Sequence, residues 1–292
     1  MKTTRTRGVS LLVLLAMLAA GLAVRAAAQD PIVVRPGADR PAPVTAGRFD
    51  HAAWDALLRR HVDAEGRVNY AEFKARDAGE LLAYLQELAA ADPAALADDA
   101  ERLAYWINAY NALTVHGILQ FHPTQSIRDH VSRLWGFHFW KDVRLEVSGS
   151  ERSLDEIEHG ILRRLNEPRI HFAIVCASVG CPKLLDRAYT GIGIAPPPTA
   201  AGAAPQPGQL QVAARAFFAD PRHFRIDRER RTVHVSAILD WFKEDFGTTE
   251  RERLDFIRRQ LDSPQDREFL ERRDLKLRFL DYDWSLNEQP AS

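Results

Sequence analysis

The chain has 292 residues, 46% hydrophobic and 27% charged, and its 39 Lys and Arg against 40 Asp and Glu leave a net charge of −1. With no basic excess and no block of like charge, nucleic acid is not an expected partner, while the hydrophobic share is enough to build a folded core.

Residues 1–28 read as a secretory signal. Lys2, Arg5 and Arg7 precede an apolar run from Val9 to Val24, and Ala26-Ala27-Ala28 supplies an Ala-x-Ala cleavage site before Gln29. Cleavage removes four positive charges and no acid, which takes the net charge to −5. No later run of about 18 apolar residues lacks polar interruption, so no membrane span is expected after signal cleavage and a periplasmic or secreted location is. Residues 29–48, rich in Pro, Gly, Ala and Arg between Pro31 and Pro43, read as a flexible leader. The folded domain is expected over 49–287.

Helical spacing runs from His51 to Arg60 through Trp54, Leu57 and Leu58, and again from Glu80 to Ala90. Between them, His61 to Glu72 places acids and Gly66 roughly as a calcium loop does, but His61 opens it where a hard cation wants Asp. The preferred reading is a Gly66 turn leading into a short strand.

From Leu103 to Ile127 there is no Asp, Glu, Lys or Arg, so the helix within it is expected to be enclosed on most sides. Asn108 and His116 lie opposite its apolar arc and Asn111 at its edge. A buried Asn costs a few kcal/mol unless partnered, so each is either held in a structural network or aimed at a cleft. Trp135 to Trp140 forms an aromatic cluster, core or cleft wall, and Val143 to Val147 alternates as a strand. Ser153-Leu-Asp-Glu156 is a capping box that starts a helix. Glu158 falls on that helix's apolar arc, where a carboxylate pairs, bonds to backbone or has a raised pKa. His159 sits at the arc's border.

Ile170 to Val175 reads as a buried strand ending in Cys176-Ala-Ser178-Val-Gly-Cys181-Pro182. Alternation then turns His171 away from Cys176, and His159 becomes the expected base for a Cys176 nucleophile, oriented by Glu158 or Asn108. Backbone N–H groups near Ala177 and Ser178 are candidate oxyanion donors. Substrate contacts are expected from Asn111, His116, Ser178 and Cys181. The competing reading joins Cys176 and Cys181 in a disulfide, as an oxidising compartment favours. No metal-ligand spacing and no phosphate-binding glycine loop is present, so no metal or other cofactor is expected.

Residues 191–209, almost wholly Gly, Ala, Pro, Ile, Thr and Gln, read as a disordered insertion. A helix over Leu210 to Phe218, a strand over Thr232 to Val235, a helix capped by Ser236 and closed by Gly247, a helix over Leu254 to Leu261 and a strand over Leu275 to Tyr282 complete the chain. Asp240, Lys243 and Glu244 read as a solvated face. Without a βαβ cadence, the expected fold is one α+β domain, a small mixed sheet flanked by helices.

Four blocks, Tyr105-Trp-Ile-Asn108-Ala-Tyr110-Asn111 through His116, Leu154 through Arg163, His171 through Pro182, and Asp281-Tyr-Asp-Trp284-Ser-Leu-Asn287, resemble in order the DUF547 family, a domain of unknown function. The resemblance spans roughly Phe49 to Asn287. It implies that Cys176 rather than Cys181 is the nucleophile, and Gly180 departs from it where the family usually carries Ser. The functional expectation is a cysteine-dependent hydrolase or acyltransferase acting on an unknown small molecule or peptide. The alternative is a non-catalytic binding domain with a Cys176–Cys181 disulfide.

Overall fold

The computed structural model describes residues 30–37, 44–132, 136–196 and 206–290. The expected signal, part of the leader, Trp135, and residues 197–205 of the expected insertion lie outside them.

The chain begins with β1 (Ile32–Val34), β2 (Val44–Thr45) and β3 (Arg48–Phe49), followed by α1 (Ala52–His61). A turn at Gly66, whose φ is +77°, follows, with Val62 bridging to Val68. Both Asp63 and His61 are used locally: Asp63 Oδ1 accepts the N–H of Glu65 and Arg67, and His61 Nε2 bonds Asp77 at 2.6 Å. The segment is a glycine turn as expected, but the short strand expected after it is reduced to isolated bridges at Val68 before a helical turn at Tyr70–Glu72.

α2 (Ala78–Ala90) packs against α3 (Asp99–Phe121), the central helix, whose residues from Leu103 to Leu119 are all buried. Asp98 caps it by accepting the Glu101 N–H. The absence of charge after Arg102 is therefore the mark of a helix enclosed all round. β4 (Val143–Val147) pairs parallel to β1 and antiparallel to β5 (Ser150–Ser153).

The Ser153–Glu156 capping box forms as predicted, with Glu156 N–H bonding Ser153 Oγ and the Ser153 N–H bonding Glu156 Oε2. The helix it starts is a π-helical turn, Glu156–Ile161, tightening into a 3₁₀ turn at Leu162–Leu165. Ile170 to Val175 is not a strand. Pro168–Phe172 is a 3₁₀ turn, and the chain then runs unpaired by any sheet to Cys176.

Within 191–209 the structure departs from the expected disorder: Gly191–Ile194 is a helical turn packed on α3 and capped by Thr190. α4 (Gln209–Ala219) follows, then β6 (Phe224–Asp227) and β7 (Thr232–Ser236), two short helices α5 (Ile238–Trp241) and α6 (Lys243–Phe246), α7 (Glu250–Gln260), α8 (Pro264–Leu270) and β8 (Lys276–Leu280). β7 pairs antiparallel with β6 and parallel with β8.

The fold class is α+β, with small sheets flanked by helices. Among the described residues, the buried side chains form two apolar clusters. One is built around α3 with Trp54, Tyr84 and Leu145, and the other around α4, β7 and α7 with Phe172. Phe172 belongs to the second and its neighbour Ala173 to the first, so the chain entering Cys176 runs along the seam.

Candidate functional site

Cys176 is held at the seam by backbone partners that a strand would have found in a sheet. Asn111 donates Nδ2–H to Ala173 O at 2.9 Å and accepts the Val175 N–H at 2.9 Å, clamping the two residues before the cysteine. The Cys176 N–H reaches Cys181 Sγ at 3.0 Å. Ala177 follows with φ of +59°, a left-handed conformation that costs a non-glycine residue on the order of 1 kcal/mol. Its carbonyl is fixed by the Asn287 N–H at 3.0 Å. Three residues on, Gly180 lies so close to the chain that a Cβ would stand 2.9 Å from the N and O of Asp283, so a side chain at this position requires the Asp283 backbone to move.

The two sulfurs are free thiols. Cys176 Sγ lies 3.4 Å from Ser178 Oγ and 3.3 Å from the Tyr282 hydroxyl, which also stands 3.0 Å from Cys181 Sγ. The hydrogen bond from the Cys181 thiol, opposed by burial and aided by Ser178 and Tyr282, lowers the Cys176 pKa to about 7. Burial and the neighbouring thiolate raise Cys181 well above the ordinary value, so Cys176 ionises first.

Both sulfurs open on a cavity of about 160 Å³. Glu158 enters it from the π-helical turn, a geometry that recurs at functional sites. Burial, then the Cys176 charge, pushes its pKa up to about 8, although the Tyr110 hydroxyl donates to it at 3.3 Å. Beside it stands His171, stacked on Phe242 at 4.0 Å, with Nε2 2.7 Å from Asp245 Oδ2 and Nδ1 3.9 Å from Glu158 Oε1. An ionised Asp245 only accepts, so the His171 proton is on Nε2 and the bare Nδ1 faces the Glu158 carboxyl. Burial lowers the His171 pKa against the opposing pull of Asp245. Burial works against the Asp245 charge as well, but hydrogen bonds from His171 and Arg163 hold its pKa far below the usual carboxylate range.

The structure thus brings together Cys176, Glu158, Ser178 and Cys181 and leaves four expected residues outside. His159 is nearly half exposed, bonded to Arg163 at 3.1 Å and 3.8 Å from Asp155. It is no partner of the thiol, because the π turn sends adjacent residues to opposite sides. Asn108 spends its amide on both backbone groups of Tyr189, and Asn111 on the clamp already described, so both are structural. His116 is buried away from the cavity, its pKa lowered to about 4 by that burial.

In place of these, the cavity uses His171, Tyr282 and a wall of Trp140, Trp241, Phe242 and Trp284. His171 was visible as a polar residue inside an apolar run, and Tyr282 and Trp284 stood in the last family-like block. Asp245 had no signal, since its partner is 74 residues away. Among the described residues, no group of three or more His, Cys, Asp or Glu side chains is placed to hold a metal, and no helix is long and apolar enough to cross a membrane.

Comparison with known proteins bears out the resemblance. Residues 94–195 match the family model described as protein of unknown function, DUF547. No curated protein and no solved structure matches the chain.

Proposed function

We propose that the protein is an exported thiol-dependent acyl hydrolase or acyltransferase with Cys176 as nucleophile and Glu158 as general acid. One observation carries the reading: a single cavity holds a thiol drawn down to about 7 and a carboxyl pushed up to about 8. Between those values an ionised sulfur faces a neutral acid, the protonation states that attack and leaving-group departure require. The basic, apolar and Ala-x-Ala succession of residues 1–28 supports action outside the cytoplasm.

In this mechanism the Cys176 thiolate attacks an acyl carbonyl carbon, forming a C–S bond and a tetrahedral oxyanion. Collapse breaks the bond to the leaving oxygen, which takes the Glu158 proton. The resulting carboxylate then accepts a proton from water or an acceptor alcohol as that oxygen attacks the thioester. The acid or new ester departs, and thiolate and neutral Glu158 are restored. His171, fixed by Asp245, stands with Nδ1 3.9 Å from the Glu158 carboxyl, beyond direct hydrogen-bond distance, while the Tyr110 hydroxyl donates to that carboxyl at 3.3 Å.

Mass spectrometry after mixing the mature protein with p-nitrophenyl acetate tests this. The expected result is one acetyl group on Cys176, absent in Cys176→Ser. Glu158→Gln is expected to slow acylation by an alkyl ester, whose alkoxide needs a proton, by on the order of 100-fold. It should slow the nitrophenyl ester, whose leaving group departs as an anion, far less. Absence of an adduct on Cys176, or two sulfurs protected from alkylation until reductant is added, overturns the reading in favour of a disulfide-linked binding domain.

A further inference from the structure

We infer that the group Cys176 takes up is an uncharged, apolar acyl group of about six carbons, such as a medium-length alkanoyl chain or a single aromatic ring. This deepens the acyl-transfer reading and rests on it.

Size gives the first argument. An apolar cavity of roughly 150 Å³ accepts one benzene molecule, and the space in front of Cys176 is about 160 Å³. An acetyl group leaves most of it empty, and a chain much beyond six carbons extends out of it toward solvent. Lining chemistry gives the second. Trp140, Ile174, Ile238, Phe242 and Trp284 provide carbon surface, and neither Lys nor Arg is among the lining residues. Two guanidinium groups stand behind this wall rather than in it: Arg163, 5.5 Å from the Phe242 ring, is committed to both carboxylate oxygens of Asp245, and Arg128 lies 5.1 Å over the Trp284 ring without lining the cavity. A charged acyl group inside the cavity would lose its hydration with no counter-ion among the lining residues to meet it. A carboxylate would also face the thiolate.

The rim gives the third argument. Trp241 is 49% exposed, which is unusual for so large an apolar side chain, and it is not loose. It stacks on Trp284 at 5.6 Å and lies 4.8 Å from the Tyr282 ring, beside the sulfurs. Trp284 in turn meets Trp140 edge-on at 6.3 Å. These rings continue the apolar wall from the cavity out to solvent, as an entering alkyl or aryl group needs.

The bond changes are those of acyl transfer: the carbonyl carbon gains sulfur and loses its alkoxy oxygen, which leaves with the Glu158 proton. The experiment compares kcat/KM for the p-nitrophenyl esters of acetate, hexanoate, dodecanoate and succinate (the half-ester, bearing a free carboxylate). Each buried methylene contributes about fourfold, so hexanoate is expected to exceed acetate by on the order of 100-fold. Dodecanoate should gain nothing further, and the succinate half-ester should fall at or below acetate. Trp241→Ala should shrink the hexanoate-to-acetate ratio several-fold, while alkylation of Cys176 by iodoacetamide confirms an intact thiol. Equal rates for acetate and hexanoate, a continued gain to dodecanoate, or preference for the half-ester overturns the inference and leaves acyl transfer standing. Failure of every ester to acylate a thiol that iodoacetamide still alkylates overturns both.

Discussion

At the scale of single residues, the lowered pKa of Cys176 comes from hydrogen-bond donors rather than from a base. The Cys181 thiol, the Ser178 hydroxyl and N–H, and the Tyr282 hydroxyl all stabilise its anion, and among its described hydrogen bonds none runs to an imidazole. A thiol with a pKa close to ambient pH combines a useful thiolate fraction with retained nucleophilicity. Tyr282→Phe keeps the ring packed against Trp241 and Trp284 but deletes one donor, so the Cys176 pKa is expected to rise from about 7 by roughly one unit. Only the thiolate reacts, and the alkylation rate climbs with pH up to the pKa, so the midpoint moves to higher pH and the rate at a fixed acidic pH falls roughly tenfold. Iodoacetamide alkylation followed from about pH 5 to 9 measures this. In the same assay His159→Ala is expected to leave the midpoint unmoved, because that imidazole belongs to Arg163 and the surface. A shift with His159→Ala and none with Tyr282→Phe would reverse the assignment.

At the scale of elements, the chain's own signals were strongest where a local rule suffices. The Ser153–Glu156 box, the enclosure of the charge-free α3 and the turn at Gly66 all follow from neighbouring residues, and all formed. Ile170 to Val175 misled because a short apolar run looks the same whether its backbone partners lie in a sheet or in side chains. Here Pro168 opens a 3₁₀ turn and Asn111 supplies the partners. Losing the strand also lost its alternation, which is how His171 comes to share a cavity with Cys176. The solvated face over Asp240, Lys243 and Glu244 was legible, yet Asp245 next to it turns inward to His171 by a contact no spacing rule carries. Asn111→Ala tests the clamp. It strands Ala173 O and the Val175 N–H without partners, at a cost of roughly 2–4 kcal/mol. The expected outcome is a melting temperature lower by several degrees together with a Cys176 alkylation midpoint displaced toward that of an ordinary thiol. A lowered melting temperature with an unchanged midpoint would show that the clamp supports the fold without tuning the sulfur.

At the scale of the molecule, the cavity exists because two apolar clusters meet. The segment from 94 to 195 that matches the family model contributes Glu158, His171, Cys176 and Cys181. Tyr282, Trp284, Trp241, Phe242 and Asp245 come from beyond it, and Tyr282 packs against both clusters. The described residues after β8 form no strand of their own but bond to the cysteine loop: Gly180 N–H to Asp283 O at 2.8 Å, Val179 N–H to Ser285 O at 2.8 Å, and Asn287 N–H to Ala177 O at 3.0 Å. Onward they reach the first third of the chain, where the Val68 N–H donates to Asn287 O at 2.9 Å and the Tyr70 hydroxyl to Asn287 Oδ1 at 2.7 Å. Ending the chain after Asp281 therefore removes one wall of the cavity, the phenol between the sulfurs, and the backbone partners of the loop that presents them. Those partners are worth roughly 1 kcal/mol each, so the shortened protein is expected to melt well below the full chain. Its Cys176 should also alkylate with the profile of an ordinary thiol. Trp284→Ala in the full-length chain separates the two effects, since it opens the aromatic wall and keeps every backbone bond. If the shortened chain instead melts and alkylates like the intact one, the matched segment holds its thiol unaided and the seam is not what builds the site.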